Sequence, residues 1–186
     1  MKIENKKSLF NLVLILHDIG KVKTRQVVGD KIMFIGHDEE GAKIIKERLK
    51  KLRFSNDEIK YAELLVKYHM KIHQMENLDV KYKMEQLAKI YQIFHEDFEL
   101  MNDLIRLSEI DGDRDYKELK DIINLFQKQK QIIRGEDVDN YPKELRGKII
   151  KRMRYLQLAK GYDRPTLLKY LKSEGNNILS QESNLQ

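Results

Sequence analysis

Helix-breaking residues are scarce in this chain, and that scarcity limits the folds open to it. Its 186 residues include two prolines and nine glycines among many lysines, glutamates, isoleucines and leucines. Proline and glycine are the least favourable residues within helices, whereas lysine, glutamate and leucine are good helix formers. An all-α fold is therefore predicted rather than a β-sandwich or barrel. The exception is residues 22–36, where apolar residues on both sides of Gly29-Asp30 predict a small β-hairpin.

Hydrophobic periodicity predicts a series of helices along the rest of the chain. They span residues 8–18, 38–53, 55–73, 80–91, 96–110, 116–131, 142–160 and 166–172. The first is apolar on nearly every side, which predicts a central helix that is buried all round. Ser55 and Glu58 form a capping-box pattern at the start of one helix, and Pro142 suits the first turn of another.

A polar, acidic segment at residues 134–141 predicts a joint between two parts of the chain. We expect a helical domain over residues 1–132 and a basic helical extension over residues 133–186. After Glu174 the sequence turns to Ser, Asn, Gln and Glu, which predicts a frayed tail.

Composition excludes several classes of function. The chain has no cysteine, so it forms no disulfide, thiolate zinc site or cysteine nucleophile, and nitrogen and oxygen must bind any metal. The longest apolar run, Leu12 to Leu16, is far shorter than the ~20 residues of a membrane span. We therefore expect a cytoplasmic protein without membrane contact. The net charge of +6 suits a polyanionic partner such as nucleic acid or a nucleotide, although lysines also solvate ordinary surfaces.

The pair His17-Asp18 is the strongest candidate for chemistry in the first half of the chain. It directly follows an apolar run, and burying an imidazole and a carboxylate together is costly unless a cation neutralises them. A third polar candidate, His37, lies in the loop before Asp38. These residue types are those that bind divalent metals.

Two later helices carry polar residues on otherwise apolar stripes. One stripe consists of Ile59, Ala62, Val66, His69 and His73. The other consists of Leu100, Leu104, Leu107 and Asp111. The alternatives are that His69 and His73 are ordinary core histidines and that Asp111 caps the turn at Gly112. His95, which fits no such pattern, is expected to be a surface or capping residue.

The string Leu16-His17-Asp18-Ile19-Gly20-Lys21 resembles the signature of the HD superfamily of metal-dependent phosphohydrolases. Residues 23–25, 34–37, 41–42, 53–56 and 66–70 resemble the C-terminal HD region of bacterial CCA-adding tRNA nucleotidyltransferases and poly(A) polymerases. Residues 104–111 resemble the helix that brings the last metal-binding aspartate of that family, which would be Asp111. The segment from residue 133 to 171 is similar to the tRNA-binding body that follows.

The resemblance implies an HD-type helical bundle with a divalent metal, which would be Mg, Mn, Ni, Fe or Zn. The metal ligands would be His17, Asp18, His37, His69 and Asp111. The activity would be hydrolysis of a phosphoester in a nucleotide or at an RNA end. His17, Asp18, Lys21 and His37 would be catalytic, and Lys21 and His37 would hold the phosphate. Substrate contacts would come from Lys21, His73, Lys151 and Arg152.

Two departures from the family pattern change this expectation. The chain has no Gly-Ser turn of a nucleotidyltransferase head, so we expect no nucleotide addition. No histidine precedes His17, although the HD pattern has an earlier one. Either His37, His69 or His73 compensates, or metal binds weakly, or the chain is a remnant.

Two alternatives to an enzyme that contains its whole metal site remain open. One is a non-catalytic tRNA- or RNA-binding module derived from a CCA-adding enzyme. A basic run of Lys148, Lys151, Arg152 and Arg154 would follow a phosphate backbone, and Tyr155 would stack on a base. The other is a subunit that completes its metal site with a partner chain.

Overall fold

The computed structural model describes the backbone of residues 5–182 and the side chains of residues 5–173. The described chain is almost entirely helical, with one two-stranded antiparallel hairpin, so the predicted all-α fold class is confirmed. The elements are α1 (Lys6–Leu16), α2 (Lys21–Thr24), β1 (Gln26–Val28), β2 (Lys31–Met33), α3 (His37–Lys51), α4 (Asn56–Gln74), α5 (Val80–Ile93), α6 (Phe98–Gly112), α7 (Lys117–Lys128), one 3-10 turn (Gly135–Val138), α8 (Lys143–Lys160) and α9 (Arg164–Glu182). Within the described residues no helix has the length and apolarity that crossing a lipid bilayer requires.

Most of the predicted helix ends lie within two residues of the observed ones. The capping box at the start of α4 is confirmed, because the side chain of Ser55 accepts from the Glu58 amide while Glu58 accepts from the Ser55 amide. The sequence predicts Pro142 in the first turn of α8. Pro142 is instead the N-cap residue, one position before that turn. The helix predicted to end at residue 172 continues to Glu182, and the last four residues of the predicted frayed tail lie outside the described residues.

The predicted hairpin is shorter than residues 22–36. Its first residues form the short helix α2, and only Gln26–Val28 and Lys31–Met33 pair, with Val27 opposite Ile32. Gly29 in the turn has a φ of 60°, in the left-handed region that glycine adopts without strain.

The prediction that the first helix is buried all round is wrong. Only Leu9, Phe10 and Val13 of α1 are buried, and Ile15 is 78% exposed. The central helix is instead α4, which packs against α1, α3 and α6. Its buried residues occupy more than one side of the helix, because it has neighbours on several sides. Apolar composition alone does not reveal how many neighbours a helix has.

The chain divides into two compact units. The first consists of Met1–Leu78 and Asp97–Lys120, and it contains the hairpin and the helices packed on α4. The second consists of Asp79–Glu96 and Asp121–Gln186, where α8 packs against α5 and α9. The core of α8 and α9 includes Ile149, Met153 and Leu167. The domain boundary after residue 132 stays a prediction.

Candidate metal centre

Glycines bring the end of α1 against the start of α3 in the first unit. A Cβ on Gly20 would lie 1.9 Å from the carbonyl oxygen of His37, and one on Gly41 would lie 3.1 Å from Cγ1 of Val66. Gly36, with a φ of 76°, is the N-cap residue of α3. This close backbone approach places His17 and Asp18 next to His37 and next to α4.

Three imidazoles in this region have the same orientation. The Nδ1–H groups of His17, His37 and His69 donate to the carbonyl oxygens of Leu14, Phe34 and Val66, at 2.8, 2.8 and 2.7 Å. A carbonyl oxygen can only accept a hydrogen bond, so Nδ1 carries the proton in each ring. In a neutral ring Nε2 then has a free lone pair. Backbone hydrogen bonds of this kind orient metal-ligating histidines in proteins.

The three Nε2 atoms converge on the carboxylate of Asp18. Those of His37 and His69 lie 3.2 and 4.0 Å from Oδ1, and that of His17 lies 3.6 Å from Oδ2. Ligand atoms of His17, Asp18 and His69 lie within 4.8 Å of one another. Among the described side chains, the buried Nε2 atoms of His37 and His69 have no hydrogen-bond partner. Lone pairs that face a carboxylate in this way are stabilised by a cation, so these residues fit a divalent metal.

Burial also keeps one of these imidazoles neutral. His69 is completely buried, and burial lowers its pKa. The neutral imidazole is the form that binds metal. The electrostatics of His69 therefore favour a ligand role, although an apolar stripe on its own predicts an ordinary core histidine equally well.

Asp111 connects His17 to a second group of side chains, which consists of His73 and Tyr116. Its Oδ1 lies 2.9 Å from Nε2 of His17 and its Oδ2 lies 2.9 Å from Nε2 of His73. Partial burial raises the pKa of Asp111, but the imidazoles of His17 and His73 outweigh it and hold the pKa below its usual value. Nδ1 of His73 lies 2.8 Å from the hydroxyl oxygen of Tyr116. A Cβ on Gly112 would lie 3.1 Å from Cε1 of His73, so this residue too permits close packing.

We call His17, Asp18, His37, His69, His73 and Asp111 the His/Asp cluster. Among the described residues, ligand atoms of His17, Asp18 and His69 form one group, His37 adjoins it at Asp18, and Asp111 adjoins it at His17. That these residues bind a metal stays a prediction. Lys21 adjoins the cluster through an ion pair with Asp18, and its ammonium lies 5.7 Å from the ring centroid of Phe34. Sequence reasoning missed Tyr116, because no periodic pattern connects it to His73.

The other predicted residues belong to α8 in the second unit. Lys151 and Arg152 are exposed, and the guanidinium of Arg152 lies 5.3 Å from the ring centroid of Tyr155. The assignment of Arg154 to an exposed basic run is wrong, because Arg154 is buried against Glu96. His95 is exposed and has a φ of 55° at the end of α5, as a surface or capping residue would.

A family model for the HD domain matches residues 1–164. The chain belongs to the HD domain family. HD domains bind divalent metals, and the match together with the His/Asp cluster indicates a metal-dependent phosphohydrolase. No curated protein and no solved structure matches this HD domain chain. Its closer resemblance to CCA-adding enzymes rests on the sequence motifs alone.

Tyr116→Phe is expected to weaken metal binding without disrupting the fold. The change removes the hydroxyl that contacts Nδ1 of His73, whose Nε2 contacts the carboxylate of the predicted ligand Asp111, so the ring that orients Asp111 loses one of its own contacts. We expect about tenfold weaker Mn²⁺ binding and a loss of about 1 kcal/mol of unfolding free energy. Metal titration and denaturant unfolding measure the two effects.

Tyr61→Phe is the matched control for this substitution. Tyr61 is also buried, and its hydroxyl donates to Asp103 at 2.9 Å, outside the His/Asp cluster. The Tyr61→Phe protein should lose a similar unfolding free energy and keep its Mn²⁺ affinity. Unchanged affinity in Tyr116→Phe would show that Tyr116 does not help to position Asp111, through His73, for metal binding.

Proposed function

We propose that this HD domain is a phosphohydrolase or phosphodiesterase that acts on a phosphoester of a nucleotide or an RNA end. The observation that carries the proposal is the convergence of the buried Nε2 atoms of His37 and His69, which have no hydrogen-bond partner among the described residues, on the carboxylate of Asp18. Such an arrangement is unfavourable as a purely structural core network, because lone pairs face negative charge without a donor between them.

The metal would be held by His17, Asp18, His37, His69 and Asp111. A divalent cation bound there would polarise a phosphoryl oxygen and lower the pKa of water. Three imidazoles with two carboxylates favour Mn, Fe, Ni or Zn over Mg, which prefers oxygen ligands. His37 and His69 would add two imidazoles to the His17-Asp18 pair.

Two further side chains are suited to hold the substrate. Lys21 is partly exposed and brings a positive charge beside Asp18, where its ammonium can bind a phosphate oxygen. His73 contacts Asp111 and is 20% exposed at the side chain, so part of its ring can be reached by a ligand. His17, by contrast, is held between the carboxylates of Asp18 and Asp111.

The test is hydrolysis of a panel of nucleoside monophosphates, cyclic nucleotides and RNA ends with Mn²⁺. Activity should be abolished by chelator and should fall at least ~100-fold in His17→Ala, which removes an imidazole between two carboxylates. Lys169→Ala, at an exposed position of α9 in the second unit, should leave the rate unchanged. Hydrolysis that survives in both chelator and His17→Ala would contradict the proposal.

The alternative is an RNA-binding module with a tRNA partner, as the resemblance to CCA-adding enzymes implies. It is supported by the exposed Lys151 and Arg152 and by the adjacent Tyr155 ring. RNA binding that weakens in the Lys151→Glu, Arg152→Glu double variant, with a salt slope reduced by about two, would support it. The same His17→Ala protein separates the functions, because it should retain that RNA binding while it loses hydrolysis.

A further inference from the structure

The second unit contains a cavity of about 470 Å³ that the metal chemistry does not use. Its lining includes His95 and Glu96 from the end of α5 and Gly147, Lys151 and Arg154 from α8. Two positive side chains, Lys151 and Arg154, thus accompany one negative side chain, Glu96. The volume lies within the range of cavities that take small-molecule ligands, and the charge favours an anion.

Arg154 in this lining is buried and only partly satisfied. Its side chain is 5% exposed, and its Nε and Nη2 atoms donate to the Glu96 carboxylate at 2.8 to 3.1 Å. Among the described residues its Nη1 atom has no hydrogen-bond partner. A guanidinium has five N–H donors, and leaving some of them buried without an acceptor is unfavourable. An oxygen-rich anion would supply the missing acceptor.

Three residues around the cavity occupy backbone positions that are unfavourable for their residue type. His95 and Glu96 have φ angles of 55° and 57°, in the left-handed region that favours glycine. At Glu96 this conformation brings the carboxylate to the guanidinium of Arg154. Gly147 lies inside α8, where glycine is a poor helix former, and a Cβ there would meet no atom within 4 Å. Glycine at this position keeps the cavity open.

We infer that this cavity binds a terminal phosphate monoester of mononucleotide size. The phosphate would accept from Nη1 of Arg154, and the ammonium of Lys151, which has no ion pair among the described side chains, would add a second positive contact. Glu96 holds the guanidinium plane in place through two of its nitrogens. The Gln92 amide donates to the Lys151 carbonyl oxygen at 2.7 Å, which ties α5 to α8 beside the cavity. This site is independent of the proposed metal chemistry.

The experiment is calorimetric titration of the full chain with AMP, with adenosine and with inorganic phosphate. It is carried out in wild-type protein and in Asp18→Asn, so that binding at the His/Asp cluster is distinguished from binding in the cavity. Gly147→Leu fills the cavity without changing any charge, and Gly135→Leu is its control, because Gly135 also has open space around it and lies outside the cavity lining. Lys151→Gln removes one phosphate contact and keeps the helix.

With no divalent metal present, we expect AMP to bind at least tenfold more tightly than adenosine, equally in wild-type and Asp18→Asn proteins. Gly147→Leu should abolish this binding and Lys151→Gln should weaken it at least fivefold, while Gly135→Leu should leave it unchanged. Equal affinity for AMP and adenosine, or full AMP binding in Gly147→Leu, would overturn the inference. AMP binding that disappears in Asp18→Asn would assign the nucleotide to the His/Asp cluster instead and would also overturn it.

Discussion

Asp18→Asn is expected to reduce metal-dependent phosphoester hydrolysis by about 10³-fold or more. The substitution keeps the shape of the side chain and removes its negative charge. That charge lies 3.2 to 4.0 Å from the Nε2 atoms of His37, His17 and His69. Without it the three imidazoles retain their lone pairs but lose the carboxylate on which they converge, so a cation loses both a ligand and charge neutralisation.

Thermal unfolding with and without Mn²⁺ measures the loss of metal binding in Asp18→Asn without any substrate. A ligand at 100 times its dissociation constant stabilises the native state by about 2.7 kcal/mol, and wild-type protein should show a rise of this size. Asp18→Asn should show almost none. Asp113→Asn is the matched control, since Asp113 is exposed at the left-handed C-cap of α6, where asparagine is well tolerated. Equal metal stabilisation in Asp18→Asn and wild type would exclude Asp18 as a ligand.

Much of the His/Asp cluster follows from helical periodicity. A period of 3.6 places His69 and His73 on the same stripe as Val66, and it places Asp111 below Leu104 and Leu107. Apolar stripes of different helices pack together in the core, so polar residues on those stripes are expected to lie close together. This part of the cluster can therefore be predicted from the sequence alone. The HD signature adds His17 and Asp18 because they end an apolar run.

The features that the sequence could not predict depend on which elements pack together rather than on hydrophobic periodicity. The apolar run of α1 predicts burial on every side, but Ile15 within that run is exposed. Arg154 belongs to a basic stretch of sequence, but its rotamer and the strained turn at Glu96 turn it inward into an ion pair. The orientation of each imidazole by a carbonyl oxygen three residues earlier depends on side-chain rotamers, which no spacing pattern fixes.

Gly20→Ala is expected to lower the free energy of unfolding by about 3 kcal/mol or more, which is the upper part of the range for overpacking. The added Cβ would lie 1.9 Å from the carbonyl oxygen of His37 and 2.6 Å from the backbone nitrogen of Gly41. Both neighbours are backbone atoms of the first turns of α3, so no side-chain rotation can relieve the contact. The glycine of the His-Asp-Ile-Gly string is therefore required by close backbone packing.

The same substitution should also weaken metal binding, because relief of the clash must move the residue that carries the His37 imidazole. Denaturant unfolding and Mn²⁺ titration of Gly20→Ala measure the two effects, and Gly135→Ala controls for the loss of glycine where an added Cβ meets nothing within 4 Å. Gly135→Ala should stay within about 1 kcal/mol of wild type. If Gly20→Ala matched that control in both stability and Mn²⁺ affinity, the contact between Gly20 and α3 would not hold the cluster together. If it lost stability alone, His37 would keep its position relative to Asp18 while the rest of α3 adjusts.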